Sequence, residues 1–162
     1  MEDRYLFKAK RKDNEEWVQG NLVQSCDATD GWEAIIIPTT NSNMFVKYIE
    51  NDYSTTFTKP IRRGCRNLGF ENWYRVDSTT ICQCTGLKDK NGKPIWENDI
   101  CDRKEEYPEI VKYNNGDWTL DYSYSKGKES GYCYCNLGFY ALERKYVEVI
   151  GNVFDNLELL KK

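Results

Sequence analysis

Seven cysteines and no histidine bound the chemistry this chain can carry. Cys82/Cys84 and Cys133/Cys135 form two C-x-C pairs, with Cys26, Cys65 and Cys101 single. Structural zinc is usually held by C-x-x-C or a slightly wider spacing, because a turn must fold two thiolates onto one ion. C-x-C inside a strand instead points both side chains to one face. These thiols are therefore expected to be small buried hydrophobes rather than metal ligands, a four-thiolate site being the alternative. An odd count and an N-terminus without a signal peptide's apolar core argue against a disulfide framework. The absence of histidine removes the commonest general base and the commonest metal ligand.

Carboxylates gather at Asp89, Glu97, Asp99, Asp102, Glu105 and Glu106, interleaved with Lys88, Lys90, Lys93 and Arg103. An acid–base pair needs one carboxyl taken out of water, whereas predicted turns keep both the water and the counter-charges. Asp99 stands at the mouth of a strand, where a carboxylate can cap backbone N–H groups. A cysteine nucleophile would lack an activating base. No catalytic residue, cofactor or metal site is expected. Lys59, Arg62, Arg63 and Arg66 form a basic cluster that reads as an anion or nucleic-acid contact, or as a solvated loop, since no glycine-rich phosphate loop accompanies it. Aromatics beside basic residues recur at Trp73, Tyr74 and Arg75, and at Tyr122, Tyr124, Tyr132 and Tyr134 around Lys126 and Lys128. Bases can stack on such rings, although a cross-strand tyrosine ladder explains them equally.

The elements that would position these residues are strands. At 162 residues with 40% hydrophobic and 14% aromatic content, the chain can build a core suited to β-structure. A net charge of -3 and a pI near 5.2 give no global attraction to nucleic acid or anionic membrane. No apolar run is long enough for a membrane span, so a cytoplasmic protein is expected. Residues 4–10 and 17–23 read as a hairpin, residues 32–37 as a strand buried on both faces that stops at Pro38, and residues 44–49 as a strand or short helix. Residues 51–70 read as a loop or linker between an N-terminal β part (1–50) and a C-terminal barrel-like part (71–162).

Within the C-terminal part, Asp89-Lys90-Asn91-Gly92 fits a tight turn whose Gly92 takes positive φ, with Asn91 beside it. Pro94 opens a short strand, and Glu97-Asn98-Asp99 makes a second turn. Asn114-Asn115-Gly116-Asp117 is the clearest hairpin signal in the chain. Residues 145–154 form a last strand with Gly151 at a bulge or bend, and Asp155-Asn156 caps a final helical turn through Leu160. No long amphipathic helix is predicted. The fold class is mainly β, in small antiparallel barrel- or sandwich-like units with few short helices.

Two blocks carry a family resemblance: VDSTTICQCTGLKDKNGKPIWENDI (76–100) and VEVIGNVFDNLELL (147–160). With RYLFKAKRKDNEEWVQGNLV at the start of the chain, they resemble the YopX family of phage and prophage proteins, over about half the chain. The resemblance implies a small, β-rich, cytosolic protein of phage-infected or lysogenic bacteria, and supplies no catalytic residue or cofactor. The family usually has glycine at the position of Asn98, and asparagine tolerates the same turn. It usually has glycine and an aromatic where this chain has Cys82 and Cys84, which weakens the metal reading. The expected function is a non-enzymatic protein-interaction or regulatory module whose partner is a host or phage protein. Nucleic-acid binding by a small β-barrel is the alternative, and homo-oligomer formation is undecided.

Overall fold

Strand-forming residues cut at short intervals by glycine, asparagine and proline dictate a chain of short antiparallel strands. The structure, a computed structural model, has thirteen among its described residues. It describes residues 5–27, 31–39, 44–48, 66–70, 72–105, 107–124 and 134–161, with backbone alone at 25–27, 31–32, 44–48 and 66–70. The chain divides into two units, one of residues 8–81 and one of residues 82–162 together with the first seven residues.

The unit of residues 8–81 begins within β1 (Phe7–Lys10), whose first residue counts with the other unit, and continues into β2 (Trp17–Asp27) through a turn in which Arg11 N donates to Glu16 O and Glu15 takes φ +60°. Next, β3 (Gly31–Ile37) runs antiparallel to β2 from Asn21↔Ile37 to Asp27↔Gly31 and ends at Pro38, which cannot donate to a ladder. A Cβ on Gly20 would lie 2.1 Å from Ile37 O, so only glycine allows this approach of the two strands. β4 (Met44–Tyr48) pairs with β5 (Arg66–Phe70), and β6 (Tyr74–Arg75) pairs with β3, giving the order β6-β3-β2-β1. Asp77 turns the chain after β6, its carboxylate accepting from Thr79 N, while Thr80 Oγ1 accepts from Lys10 N. Ala9, Ala34, Ile36, Ile37 and Val76 are its buried apolar side chains among the described residues.

Part of the expected linker is therefore a strand. Residues 51–65 lie outside the described residues, and Arg66–Phe70 is β5, paired with β4. Residues 44–48 are strand rather than helix. Residues 72–81, expected with the C-terminal part, belong with the N-terminal strands. The cause is hydrogen bonding on two sides: Val76 N donates to Ala34 O, and Asp77 N donates to Lys10 O.

In the second unit, β7 (Cys82–Lys88) and β8 (Pro94–Trp96) form a hairpin, and Cys84 N donates to Leu6 O. The strands β9 (Asp99–Asp102), β10 (Glu109–Asn114), β11 (Asp117–Asp121), β12 (Tyr134–Asn136) and β13 (Glu148–Asn152) form a sheet of order β12-β11-β10-β9-β13. The β10–β11 turn places Asn115 at φ +50° and Gly116 at φ +88°, as a two-residue hairpin loop requires. The register of β13 on β9 shifts between Val149 and Gly151. Residues 137–144 are helical, wound as a π-helix over Phe139–Arg144, and Leu157–Lys161 makes a final 3₁₀ turn.

One core joins these layers: Ile95, Cys101, Val111, Leu120, Val147 and Val149 from strands and their flanks, with Leu137 and Ala141 from the helical segment. The packing is sandwich-like. Of the barrel- or sandwich-like arrangements expected, it is the sandwich-like one, because the sheet runs open from β12 to β13. The outer side of β13 meets the 89–93 turn instead: Val149 N donates to Asp89 Oδ2, and Lys90 N donates to Val147 O.

Gly92 sits at φ +82° with nothing near the position of a Cβ, so a side chain there meets backbone strain alone. Gly92→Val should cost roughly 1–2 kcal/mol, read as a lowered Tm; an unchanged Tm would refute the turn conformation.

Candidate functional site

Where β1 ends, β2 begins, β3 ends and β6 passes, four strand termini leave a groove of about 460 Å³. That is within the roughly 300–1,000 Å³ of small-ligand sites. Its walls include Trp17, Tyr74, Pro38 and Gln19, with Arg11 and Glu16 at the rim. The Arg11 guanidinium lies 4.2 Å from the Tyr74 ring centre. It is clamped by Asp13, Nε donating to Oδ1 at 2.9 Å and Nη2 to Oδ2 at 2.5 Å. These bonds raise the Arg11 pKa and hold the Asp13 carboxyl below its ordinary value. Lys8 and Lys10 lie 5.2 and 5.7 Å from the Trp17 ring centre. A Cβ on Gly20 would also fall 2.8 Å from Pro38 Cα, so the bare Gly20 backbone lets Pro38 take its place in the wall. Stacking and clamping fix the Tyr74 wall before any ligand arrives.

The acidic stretch of the other unit is committed to its backbone. Asp89 is only 6% exposed, and its Oδ1 accepts from Asn91 N and Lys93 N while Oδ2 accepts from Val149 N. Burial pushes this carboxyl up, but the three N–H bonds and the Lys93 charge outweigh burial and hold it below the usual range. Asp89 thus lacks the water that its turn was expected to keep around it, because it substitutes for a strand partner along β13, while residues 90–93 of the turn stay exposed. Asp99 is buried too, and its Oδ2 accepts from Trp96 N at 2.9 Å. Asn98 adopts φ +63°; its N–H donates to Val111 O and its carbonyl accepts from Val153 N.

Arg103 and Glu109 form a buried pair, 7% and 3% exposed at their side chains, with Nε and Nη2 each 2.5 Å from a carboxylate oxygen. The guanidinium stacks 3.9 Å from the Tyr140 ring centre and its Nη2 lies 3.8 Å from Cys135 Sγ. Burial drives the Glu109 carboxyl up, and Arg103 only partly offsets that. Burial alone would lower the Arg103 pKa; the bonds to Glu109 raise it instead. This pair joins β10 to the chain just after β9 and to the π-helix.

Lys59, Arg62 and Arg63 lie outside the described residues, as do Lys126, Lys128 and Tyr132; Arg66 opens β5, described by its backbone alone. Asn91 and Gly92 are exposed in the 89–93 turn. Tyr74 lines the groove, Trp73 is half-buried, and Arg75 lies 3.9 Å from Glu33. Tyr122 and Tyr134 are half-buried, and the Tyr124 hydroxyl donates to Pro108 O. Cys82, Cys84 and Cys101 are fully buried, Cys135 is half-buried, and burial raises the Cys101 thiol pKa well above normal. Among the described residues no three His, Cys, Asp or Glu side chains converge as a metal site would need. Nor is any described helix long and apolar enough to cross a membrane.

Sequence reasoning missed the groove, because Trp17, Pro38 and Tyr74 meet only through strand pairing. It also missed the Arg103–Glu109 pair, of which the sequence shows just two more charges.

Removing one partner of a buried pair strands the other, so Arg103→Ala should lose about 3–5 kcal/mol in denaturant unfolding. A loss no larger than that of an exposed arginine would count against the pair. The depressed Asp89 pKa adds stability that is present above its unfolded value and is lost as pH falls through the folded one. Asp89→Asn should therefore lower Tm at about pH 7 and show a smaller deficit near about pH 3. A deficit independent of pH would contradict the ionised carboxylate.

The profile of the YopX protein family matches residues 6–161. No curated protein matches. The protein EF1440 from Enterococcus faecalis is similar in crystal structure at 22% identity and a TM-score of 0.54, covering 95% of this chain and 96% of that one. The YopX protein from Bacillus subtilis matches at 19% identity and a TM-score of 0.43, over 97% and 98% of the two chains. A match over nearly the whole length places this chain in the YopX family.

Proposed function

We propose that the protein is a non-enzymatic accessory protein of a phage or prophage, acting in the bacterial cytoplasm as a protein-interaction or regulatory module. Its docking site on this reading is the groove of the 8–81 unit, and its partner is a host or phage protein. The observation that carries it is the prebuilt Tyr74 wall, stacked by Arg11 and clamped by Asp13, beside Trp17. Tryptophan, tyrosine and arginine dominate interface hot spots, and a wall already fixed loses little entropy on binding. The groups that could do chemistry support the same reading, since Asp89, Asp99 and Glu109 are each bound to backbone or to Arg103. The second reading is nucleic acid, favoured by Lys8 and Lys10 beside Trp17.

An affinity pull-down from infected-cell lysate, run with the wild-type chain and with Tyr74→Ala, tests the proposal. A specific protein recovered by wild type and lost with a folded Tyr74→Ala variant is the expected result. A partner retained by the variant, or nuclease-sensitive nucleic acid alone in the eluate, would overturn it.

A further inference from the structure

The geometry points to an extended, proline-containing polypeptide segment bearing a basic residue as the occupant of this groove, an inference that rests on the interaction reading above. Trp17, Tyr74 and Pro38 supply flat, half-buried apolar walls. Such walls suit pyrrolidine rings, and aromatic-lined grooves take polyproline II segments whose shape is already set before binding. A polyproline II backbone makes no internal hydrogen bonds, so its carbonyls need donors from the host. The Gln19 amide and the Thr39 hydroxyl in the lining can provide them.

Charge selects the rest of the ligand. The β1–β2 turn carries three exposed carboxylates, Asp13, Glu15 and Glu16, against two cations, Arg11 and Lys12, and Lys12 Nζ lies 3.7 Å from Glu33 outside the turn. Arg11 Nε and Nη2 both point at Asp13, so these donors are not presented to a phosphate. Glu16 is 71% exposed at the rim, where its Oε2 accepts from Asn14 Nδ2 at 2.7 Å and lies 3.8 Å from Arg11 Nη1. A phosphodiester entering here would meet these carboxylates, whereas an arginine or lysine of a peptide would pair with Glu16. Pairing with Glu16 assigns the basic residue to that side of the groove and the prolines to the aromatic walls.

Isothermal titration of the full chain tests this with four probes. They are a synthetic proline-rich peptide carrying one arginine, the same peptide with glutamate for arginine, the arginine peptide with alanines for prolines, and a thymidine oligonucleotide. The arginine peptide should bind, and lose roughly tenfold or more in affinity when its prolines are replaced or when Trp17→Ala is introduced. Glu16→Lys, an exposed change, should reverse the preference toward the glutamate peptide, an outcome that misfolding cannot produce. The inference is overturned if the folded wild-type chain binds neither charged peptide saturably. It is also overturned if Glu16→Lys leaves the preference unchanged, or if the oligonucleotide binds more tightly than the arginine peptide. If the peptides fail while a lysate partner still depends on Tyr74, this inference falls and the interaction reading stands. A lysate partner indifferent to Tyr74→Ala removes both.

Discussion

One carboxylate ties the larger unit together. A buried anion is tolerated only where its lone pairs are filled, and Asp89 fills them with the N–H groups of Asn91, Lys93 and Val149. Two of those bonds close the turn between β7 and β8; the third reaches the outer edge of β13. The same side chain therefore sets a local conformation and a long-range contact. Lys90 N to Val147 O adds a backbone bond along that edge, and Asn98 makes a parallel clasp to Val111 and Val153. Without these bonds β13 would present open N–H groups, a template for stray strand pairing. Most of the stretch that opens this unit, from Thr85 to Ile100, is thus a fastener.

The two units use charge in opposite ways. In one, ionisable groups are drawn inside: Arg103 against Glu109, Asp89 and Asp99 against backbone. Such groups are costly to desolvate and strongly orienting once satisfied, so they specify which segments meet. In the other, Asp13, Glu16 and Arg11 remain at the surface, where their mutual attraction is screened and worth little to stability. What they do there is shape a rim and hold a ring in place.

The legible parts of the fold were those written in local backbone demands. Asn115-Gly116 declares its hairpin because both residues must take positive φ, and Gly92 and Asn98 declare their turns for the same reason. Pro38 ends β3, and Gly151 marks the irregularity of β13. The pairing of β4 with β5 was hidden, since residues 66–70 lack the alternation that would mark a strand next to a long polar stretch. The helical segment of residues 137–144 was equally silent, with only Leu137 and Ala141 buried along its short span. Burial of Asp89 and Glu109 leaves no trace in composition, because what allows it is donors far along the chain. Of the groove, Tyr74 drew notice for its aromatic ring, while Trp17 and Arg11 read as ordinary members of a hairpin.

The way the units share the chain has a consequence for how the protein is made. Leu6 accepts a bond from Cys84, although everything between Lys8 and Ile81 belongs to the other unit. A ribosome delivers the inner unit complete before β7 emerges, and domains tend to fold as units in order of synthesis. The inner strands can therefore pair while the Leu6 carbonyl still waits for its donor. Once they have paired, the loop to be closed between Leu6 and Cys84 is no longer a long random coil but a folded body with two ends. The entropy of that closure falls accordingly. Vectorial synthesis thus favours one order of events, with the strands of residues 8–81 paired before the bond from Cys84 to Leu6 is made.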